Sequence, residues 1–87
     1  MIDLEARYQI SPNVSLRPER FGALAYSFDT RKLSFLKHPD LVRVVESLKD
    51  HESVRLAFEA VGVDEARWPS FLNALSTLET SEMIRAA

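Results

Sequence analysis

The chain has 87 residues, of which 46% are hydrophobic and 28% charged, with a formal net charge of −2 and no cysteine. These values are typical of a single globular domain over residues 1–87, and the lack of cysteine excludes disulfides and thiolate metal sites. The N-terminal MIDLEARYQI lacks the basic start and apolar run of a signal peptide. No apolar run reaches the roughly 20 residues of a membrane span. We therefore expect a cytoplasmic protein that does not enter the membrane.

Basic residues concentrate in one part of the chain. Between Arg17 and Arg43 there are six basic and three acidic residues, a net charge of +3, so the remainder carries −5. This asymmetry indicates two surfaces that meet different partners, and an ordinary solvated charged surface is the alternative.

The first third of the chain predicts an N-terminal arm followed by strands. Residues 1–9 are predicted to be a loose arm, with Tyr8 and Ile10 the residues most expected to be fixed in place. VSLRP is a short strand that places Val14 and Leu16 on one face, and Pro18 ends it or puts it at a sheet edge.

Two further strands follow, and both alternate with a period of two. FGALAYSF carries Leu24, Tyr26 and Phe28 on one face, and these bulky residues predict that this face is buried. The polar turn DTRK leads to LSFL, in which Leu33 and Phe35 point to the opposite side from Ser34 and Leu36. The three strands predict an antiparallel meander.

The remainder has helical periodicity. Leu41, Val44, Val45 and Leu48 form the apolar stripe of a first helix that begins near Pro39. The second stripe consists of Val54, Ala57, Phe58 and Val61, with Asp50 as the predicted cap and Gly62 as the terminating residue. Asp64 predicts a short helical turn over residues 64–68, and the main helix runs from Pro69 to about Leu78. Met83 and Ile84 in the tail either fold back on the sheet or fray.

Three strands followed by three amphipathic helices predict an α+β fold, in which one apolar sheet face packs against the helices. This layout is compatible with a winged-helix-like domain.

The residues of the chain provide no known catalytic or metal-binding motif. His38 and His51 are the only histidines, and a metal site needs at least one more ligand. No serine lies in a GxSxG motif, and two glycines do not build a phosphate-binding loop. The sequence therefore predicts a protein that is not an enzyme and has no cofactor.

DNA binding is the main structural alternative, because such a domain can place a helix in the major groove. A recognition helix needs basic and amide side chains. Residues 64–82 instead contain four acids, Asp64, Glu65, Glu79 and Glu82, and one base, Arg67. The sequence therefore argues against nucleic acid as a partner.

The edge of the predicted sheet is the remaining candidate for a binding site. KLSFL is expected to be an edge strand, which offers unpaired N–H and C=O groups to another chain. Lys32 and Lys37, which flank it, either protect the edge or attract an acidic peptide. Because an edge can also pair with its own copy, we expect a monomer or a weak homodimer.

The segment SPNVSLRPERFGALAYSFDTRKLSFLKHPDLVRVVESLKDHESVRLAFEAVGV closely resembles the mycofactocin-system peptide chaperones. LRPERFGALAY and TRKLSFL are its most specific parts, and the likeness extends from about Tyr8 to Met83. More distantly, the chain is similar to the chaperone of pyrroloquinoline quinone biosynthesis and to other RiPP precursor recognition elements, which are small winged-helix-like domains. One departure is Glu82, where the resemblance leads us to expect glycine.

The resemblance implies a non-enzymatic adaptor. Such an adaptor binds the leader of a short ribosomal precursor peptide and delivers it to a radical SAM maturase, which modifies a C-terminal Val-Tyr with its own iron–sulfur clusters. In the wider class, the leader docks as an added strand in a cleft beside the third helix. Carried over, this implies a strand platform formed by Arg31, Lys32, Leu33, Ser34, Phe35 and Leu36. The implied helix wall consists of Trp68, Leu72, Leu75 and Ser76, with a core role as the alternative for Trp68 and Leu75. A winged-helix nucleic-acid-binding regulator and a structural adaptor are the alternative functions.

Overall fold

The computed structural model describes residues 1–87 and contains two small sheets and three α-helices. The strands are β1 (Tyr8–Ile10), β2 (Val14–Glu19), β3 (Gly22–Ser27), β4 (Leu33–Leu36) and β5 (Ile84–Ala86). The helices are α1 (Pro39–Ser47), α2 (Val54–Val61) and α3 (Trp68–Thr80), with short 3-10 turns at Leu48–Asp50 and Glu65–Arg67. The predicted α+β organisation, with a three-stranded meander before three helices, is confirmed in this form.

The three-stranded sheet has the order β2-β3-β4, and all its pairs are antiparallel. Its inner face packs on α1, and Leu36 from β4 is fully buried there. Gly22 allows this arrangement, because its φ is +149° and a Cβ atom would lie 2.1 Å from the Leu36 carbonyl oxygen. The start of β3 therefore tolerates no side chain, and its close approach fixes the end of β4.

The burial of β3 is the reverse of the sequence prediction. Ala23 and Ala25 are each 1% exposed and form the inner face with Ser27, whereas Leu24 and Tyr26 are only half-buried on the opposite side. The expectation that the bulky face is buried was therefore wrong. The central strand passes close to the large apolar side chains of α1, so its inner side has room only for small residues.

The N-terminal segment is not a loose arm, and this prediction was also wrong. Ile2 and Tyr8 are buried, and β1 pairs with β5 in a separate two-stranded sheet. The carbonyl groups of Leu4 and Ala6 accept hydrogen bonds from the N–H groups of Arg55 and Val54, at the start of α2. Apolar side chains at alternate positions and these backbone bonds hold the segment against the helices.

Two ion-pair contacts strengthen this attachment. Arg55 binds Glu5 at 2.6 Å, and the N-terminal ammonium group lies 3.5 Å from Glu79. The hydrogen bond to Glu5 raises the pKa of the Arg55 guanidinium above its ordinary value. Both pairs are exposed, so they orient the segment while the buried side chains provide most of its stability.

The helix α3 begins at Trp68 and not at Pro69, and the other helix ends agree with the sequence prediction except at the start of α2. There the cap is Ser53, whose Oγ accepts the Leu56 N–H at 3.2 Å, and not Asp50, which lies in the preceding 3-10 turn. Gly62 ends α2 in the left-handed conformation with φ 86°, as predicted, and Asp64 caps the short turn by accepting the Ala66 N–H.

The helix α3 ends in the same way as α2, but Glu82 and not glycine adopts the left-handed conformation. Glu82 has φ 62°, and the N–H groups of Glu82 and Met83 donate to the carbonyls of Glu79 and Leu78. This left-handed position favours glycine, which explains why glycine is expected there. Met83 and Ile84 then turn back and are buried, with Ile84 in β5. None of the helices has the length and apolar character needed to span a membrane.

Candidate functional site

The outer edge of β4 is an open strand edge with a defined hydrogen-bonding register. Tyr26 pairs with Leu33, and Leu24 pairs with Phe35. The Ser27 N–H donates to the Lys32 carbonyl at 3.0 Å. Because inward and outward groups alternate along an antiparallel strand, Ser34 and Leu36 bond to β3, whereas the N–H and C=O groups of Leu33 and Phe35 point to the open edge.

The opposite edge of the sheet, formed by β2, is less available. The groups that point outward there belong to Val14, Leu16 and Pro18, because the Phe28 N–H donates to Asn13 and sets the opposite alternation. The Val14 N–H already donates to the Ser11 carbonyl, and proline has no N–H group. Only Leu16 offers a free donor at this edge, so β4 is the better site for an added strand.

The turn before β4 places the two predicted basic residues at one end of this edge. Arg31 has a left-handed φ of 61°, and the Lys32 N–H donates to Thr30 Oγ1 at 3.3 Å. The Thr30 N–H donates to Ser27 Oγ at 3.2 Å, which ties the turn to the inner face. Both basic side chains are exposed and form no ion pair. The turn therefore presents two unpaired positive charges beside the strand edge.

The residues of the predicted helix wall lie together on α3 but have different environments. Leu75 is fully buried, and Trp68 lies in the core, where its Nε1 donates to the Val63 carbonyl at 3.0 Å and its ring lies 5.3 Å from the Phe58 ring. These two residues thus occupy the core positions that sequence reasoning held as the alternative. Leu72 and Ser76 are half-buried and one helical turn apart, so they can contact a ligand.

The clefts of the molecule do not coincide with the predicted helix wall. The largest, about 400 Å³, lies at the opposite edge of the sheet between β2 and α1, and it includes Leu16, Val45 and Lys49. No cleft is lined by a residue of the predicted wall. Strand addition depends on unpaired backbone groups at an edge, so the hydrogen-bonding register is a better guide here than cavity volume.

Two shallow clefts lie beside β4, on the solvent-facing side of the sheet. We call this side the outer face and define it by Phe21, Leu24, Tyr26, Phe28, Leu33 and Phe35. One cleft, about 320 Å³, includes Tyr26, Phe28 and Leu33, and the other, about 220 Å³, is lined by Phe21, Phe35 and Lys37. Sequence reasoning did not predict this surface, because it placed the bulky side of β3 in the core. The alternation of alanine with large residues along β3 was the sequence signal that could have indicated this surface.

Comparison with known proteins identifies the family. The model of the peptide chaperone MftB family matches residues 7–85. The chain belongs to this family. It is 48% identical over 82 residues to the peptide chaperone MftB of Mycobacterium ulcerans (strain Agy99), an alignment that covers 94% of this chain and 75% of that protein. It is also 44% identical over 82 residues to the peptide chaperone MftB of Mycobacterium tuberculosis (strain ATCC 25618 / H37Rv), with the same coverage.

A third relative is the peptide chaperone MftB of Mycolicibacterium smegmatis (strain ATCC 700084 / mc(2)155), which is 45% identical over 82 residues, 94% of this chain and 80% of that protein. No solved structure matches the chain. The family role is that of a peptide chaperone, so the prediction that the protein is not an enzyme is confirmed.

Proposed function

We propose that the protein binds the leader of a short ribosomal precursor peptide and presents it to a radical SAM maturase in mycofactocin biosynthesis. The leader adds as a fourth strand along β4 of a winged-helix-like domain, in the cytoplasm, and the chaperone acts as a monomer or a weak homodimer. The observation that carries this proposal is the open β4 edge, with the outward N–H and C=O groups of Leu33 and Phe35.

Backbone hydrogen bonds alone give a guest strand no net affinity for this edge. Leu33 and Phe35 provide two donors and two acceptors, so a guest strand forms about four hydrogen bonds of about 1 kcal/mol each. Association costs at least about 4 kcal/mol, which cancels this gain. Side chains and charges must therefore supply the net affinity and the specificity.

Charged and apolar contacts are both assigned to the leader in this proposal. Arg31 and Lys32 favour an acidic leader segment at the turn end of β4. Leu72 and Ser76 form the accessible part of the helix wall, and Trp68 and Leu75 support it from the core. Leu36 holds the strand in place through its buried side chain, while Ser34 keeps β4 bonded to β3.

Duplex nucleic acid is not a second candidate. The sequence of α3 contains no lysine or arginine and includes Glu79. A helix of this composition does not approach a phosphate backbone favourably.

The proposal is tested by calorimetric titration of a synthetic precursor peptide into matched edge variants. Phe35→Pro removes one outward N–H group and places a ring at the edge, whereas Phe35→Ala removes only the side chain. We expect Phe35→Pro to bind the leader at least about fivefold more weakly than Phe35→Ala, the equivalent of one lost hydrogen bond. Proline at an outward-facing edge position leaves the sheet folded, as circular dichroism should show.

The same pair of substitutions at the other edge is the control. Leu16→Pro and Leu16→Ala should bind the leader equally, because β2 is not the docking edge. Equal leader affinity of Phe35→Pro and Phe35→Ala would contradict strand addition on β4. A loss of affinity specific to Leu16→Pro would move the site to β2, and saturable binding of duplex DNA in place of the leader would reject the chaperone function.

A further inference from the structure

The outer face is an exposed apolar surface that strand addition leaves largely uncovered. Phe28, Phe35, Leu33 and Phe21 are 65%, 60%, 55% and 41% exposed. They are four of the six large hydrophobic residues that the whole chain exposes. A concentration of this kind on one side of a small domain marks an interaction surface rather than scattered surface residues.

The face is organised in rows that run across the three strands. Paired residues of adjacent strands share a face, so Arg17, Leu24 and Phe35 form one row, and Ser15, Tyr26 and Leu33 form the next. The Phe21 ring packs edge-on to Phe35 at 5.7 Å, and Tyr26 packs edge-on to Phe28 at 5.1 Å. The rings are thus held in place by neighbours, and two shallow clefts lie between them.

Most of this surface lies away from the site of the guest strand. The guest bonds to backbone groups at the rim of the sheet. The helix α3, which carries the predicted wall, lies on the inner side, where Leu78 lines one cleft with Ala25 and Leu36. Leu24 and Tyr26 belong to the central strand, which the guest does not border. Leu33 and Phe35 connect the two sites, because their backbone faces the edge while their side chains face outward.

The charge around the outer face indicates the type of protein that covers it. Arg17 lies within the face and Lys37 at its rim, and Arg20 lies in the adjoining turn. Of these, only Arg17 has an acidic partner, Glu19 at 3.6 Å. Two copies packed face to face would bring these positive charges together, which disfavours a homodimer through this surface.

We propose that the outer face docks a folded protein partner whose contact surface has an apolar centre and an acidic rim. This inference rests on the proposed function, within which that partner is the maturase. The chaperone then uses two adjoining sites, the β4 edge for the peptide and the outer face for the enzyme. The shared strand β4 places the bound leader next to the docked enzyme.

The test measures the two partners separately against the same variants. Maturase binding is followed by biolayer interferometry on the immobilised full chain, and leader binding by calorimetry with the synthetic precursor peptide. We expect Phe28→Ser and Arg17→Glu each to weaken maturase binding at least about tenfold, while leader affinity stays within about twofold. Raising the salt concentration should weaken maturase binding to the wild type more than to Arg17→Glu.

Leu56→Ser is the matched control, because Leu56 is an exposed apolar residue on α2, 43% exposed, outside the sheet. It should leave both affinities unchanged. Wild-type maturase affinity in both outer-face variants would overturn the inference, as would a parallel loss of leader affinity, which would assign the face to the peptide. Loss of a wild-type homodimer in Phe28→Ser, measured by sedimentation, would assign the face to a second copy. If the wild type binds no leader at all, the proposed function fails instead.

Discussion

On the central strand of the three-stranded sheet, large residues lie on the outer face and small ones on the buried face, which is the opposite of the usual rule for a half-buried strand. The buried inner face carries Ala23, Ala25 and Ser27 on the central strand, whereas the exposed outer face carries Leu24 and Tyr26. Close packing of β3 against α1 selects small residues on the inner side of this strand. No packing requirement selects the large residues on the outer side, so their presence there indicates binding to something outside the chain.

This difference assigns separate tasks to the two faces. The inner face should contribute to the free energy of unfolding and contribute little to binding directly. The outer face and the β4 edge should contribute to binding and little to stability. Neighbouring residues on β4 allow a direct comparison, because Leu36 is fully buried and Phe35 is mostly exposed.

The largest expected effect on stability is at Leu36. Leu36→Ala should lower the free energy of unfolding by about 3 kcal/mol, because it removes a fully buried side chain and leaves a cavity. Phe35→Ala removes a larger side chain but should cost less than about 1 kcal/mol, because that ring is already in water. Urea denaturation followed by circular dichroism measures both. Equal losses at the two positions would mean that the faces do not differ as described.

A smaller effect is expected from enlarging residues on each face. Ala25→Leu should destabilise the protein by about 2 kcal/mol, because the added atoms meet α1 and the core behind the sheet. Ser15→Leu adds a large side chain to an exposed position of the outer face and should change stability by less than about 0.5 kcal/mol. Thermal denaturation of the two variants makes the comparison, and a stable Ala25→Leu protein would reveal unfilled space behind β3.

The sequence predicted the order of the elements well, because their signals are local. The helical stripes, the proline at the start of α1 and the left-handed end at Gly62 depend on neighbours within a few residues. The start of α2 shows the limit of such signals, since Asp50 and Ser53 are both good caps and only the observed 3-10 turn selects Ser53.

The wrong predictions for the buried side of β3 and for the N-terminal segment have a common physical origin. The side of β3 that is buried depends on which face α1 covers, and the order of the N-terminal segment depends on β5, which lies more than seventy residues away. Neither is encoded in the local alternation of residue types. The resemblance to a family implied the strand platform, whereas the bonding direction of Leu33 and Phe35 required the register of the sheet.

The smallest effect should come from charge at the turn before β4, and it should concern binding rather than stability. Arg31→Glu or Lys32→Glu should change the free energy of unfolding by less than about 0.5 kcal/mol, because both side chains are exposed and unpaired. Each should weaken leader binding by about fivefold, equivalent to about 1 kcal/mol of lost attraction to an acidic segment. Calorimetry at low and high salt should also show a flatter salt dependence in the variants than in the wild type.

Lys49→Glu separates this local effect from a change in net charge. Lys49 is exposed beside the cleft between β2 and α1, at the edge that the leader does not use in the proposed mode, and its reversal changes the charge of the protein by the same amount. If attraction acts at the β4 edge, this variant should bind the leader nearly as tightly as the wild type, because screening limits the reach of an exposed charge to about 10 Å. Equal weakening by Lys49→Glu and Lys32→Glu would mean that the leader responds to overall charge and that the turn has no special role in its recognition.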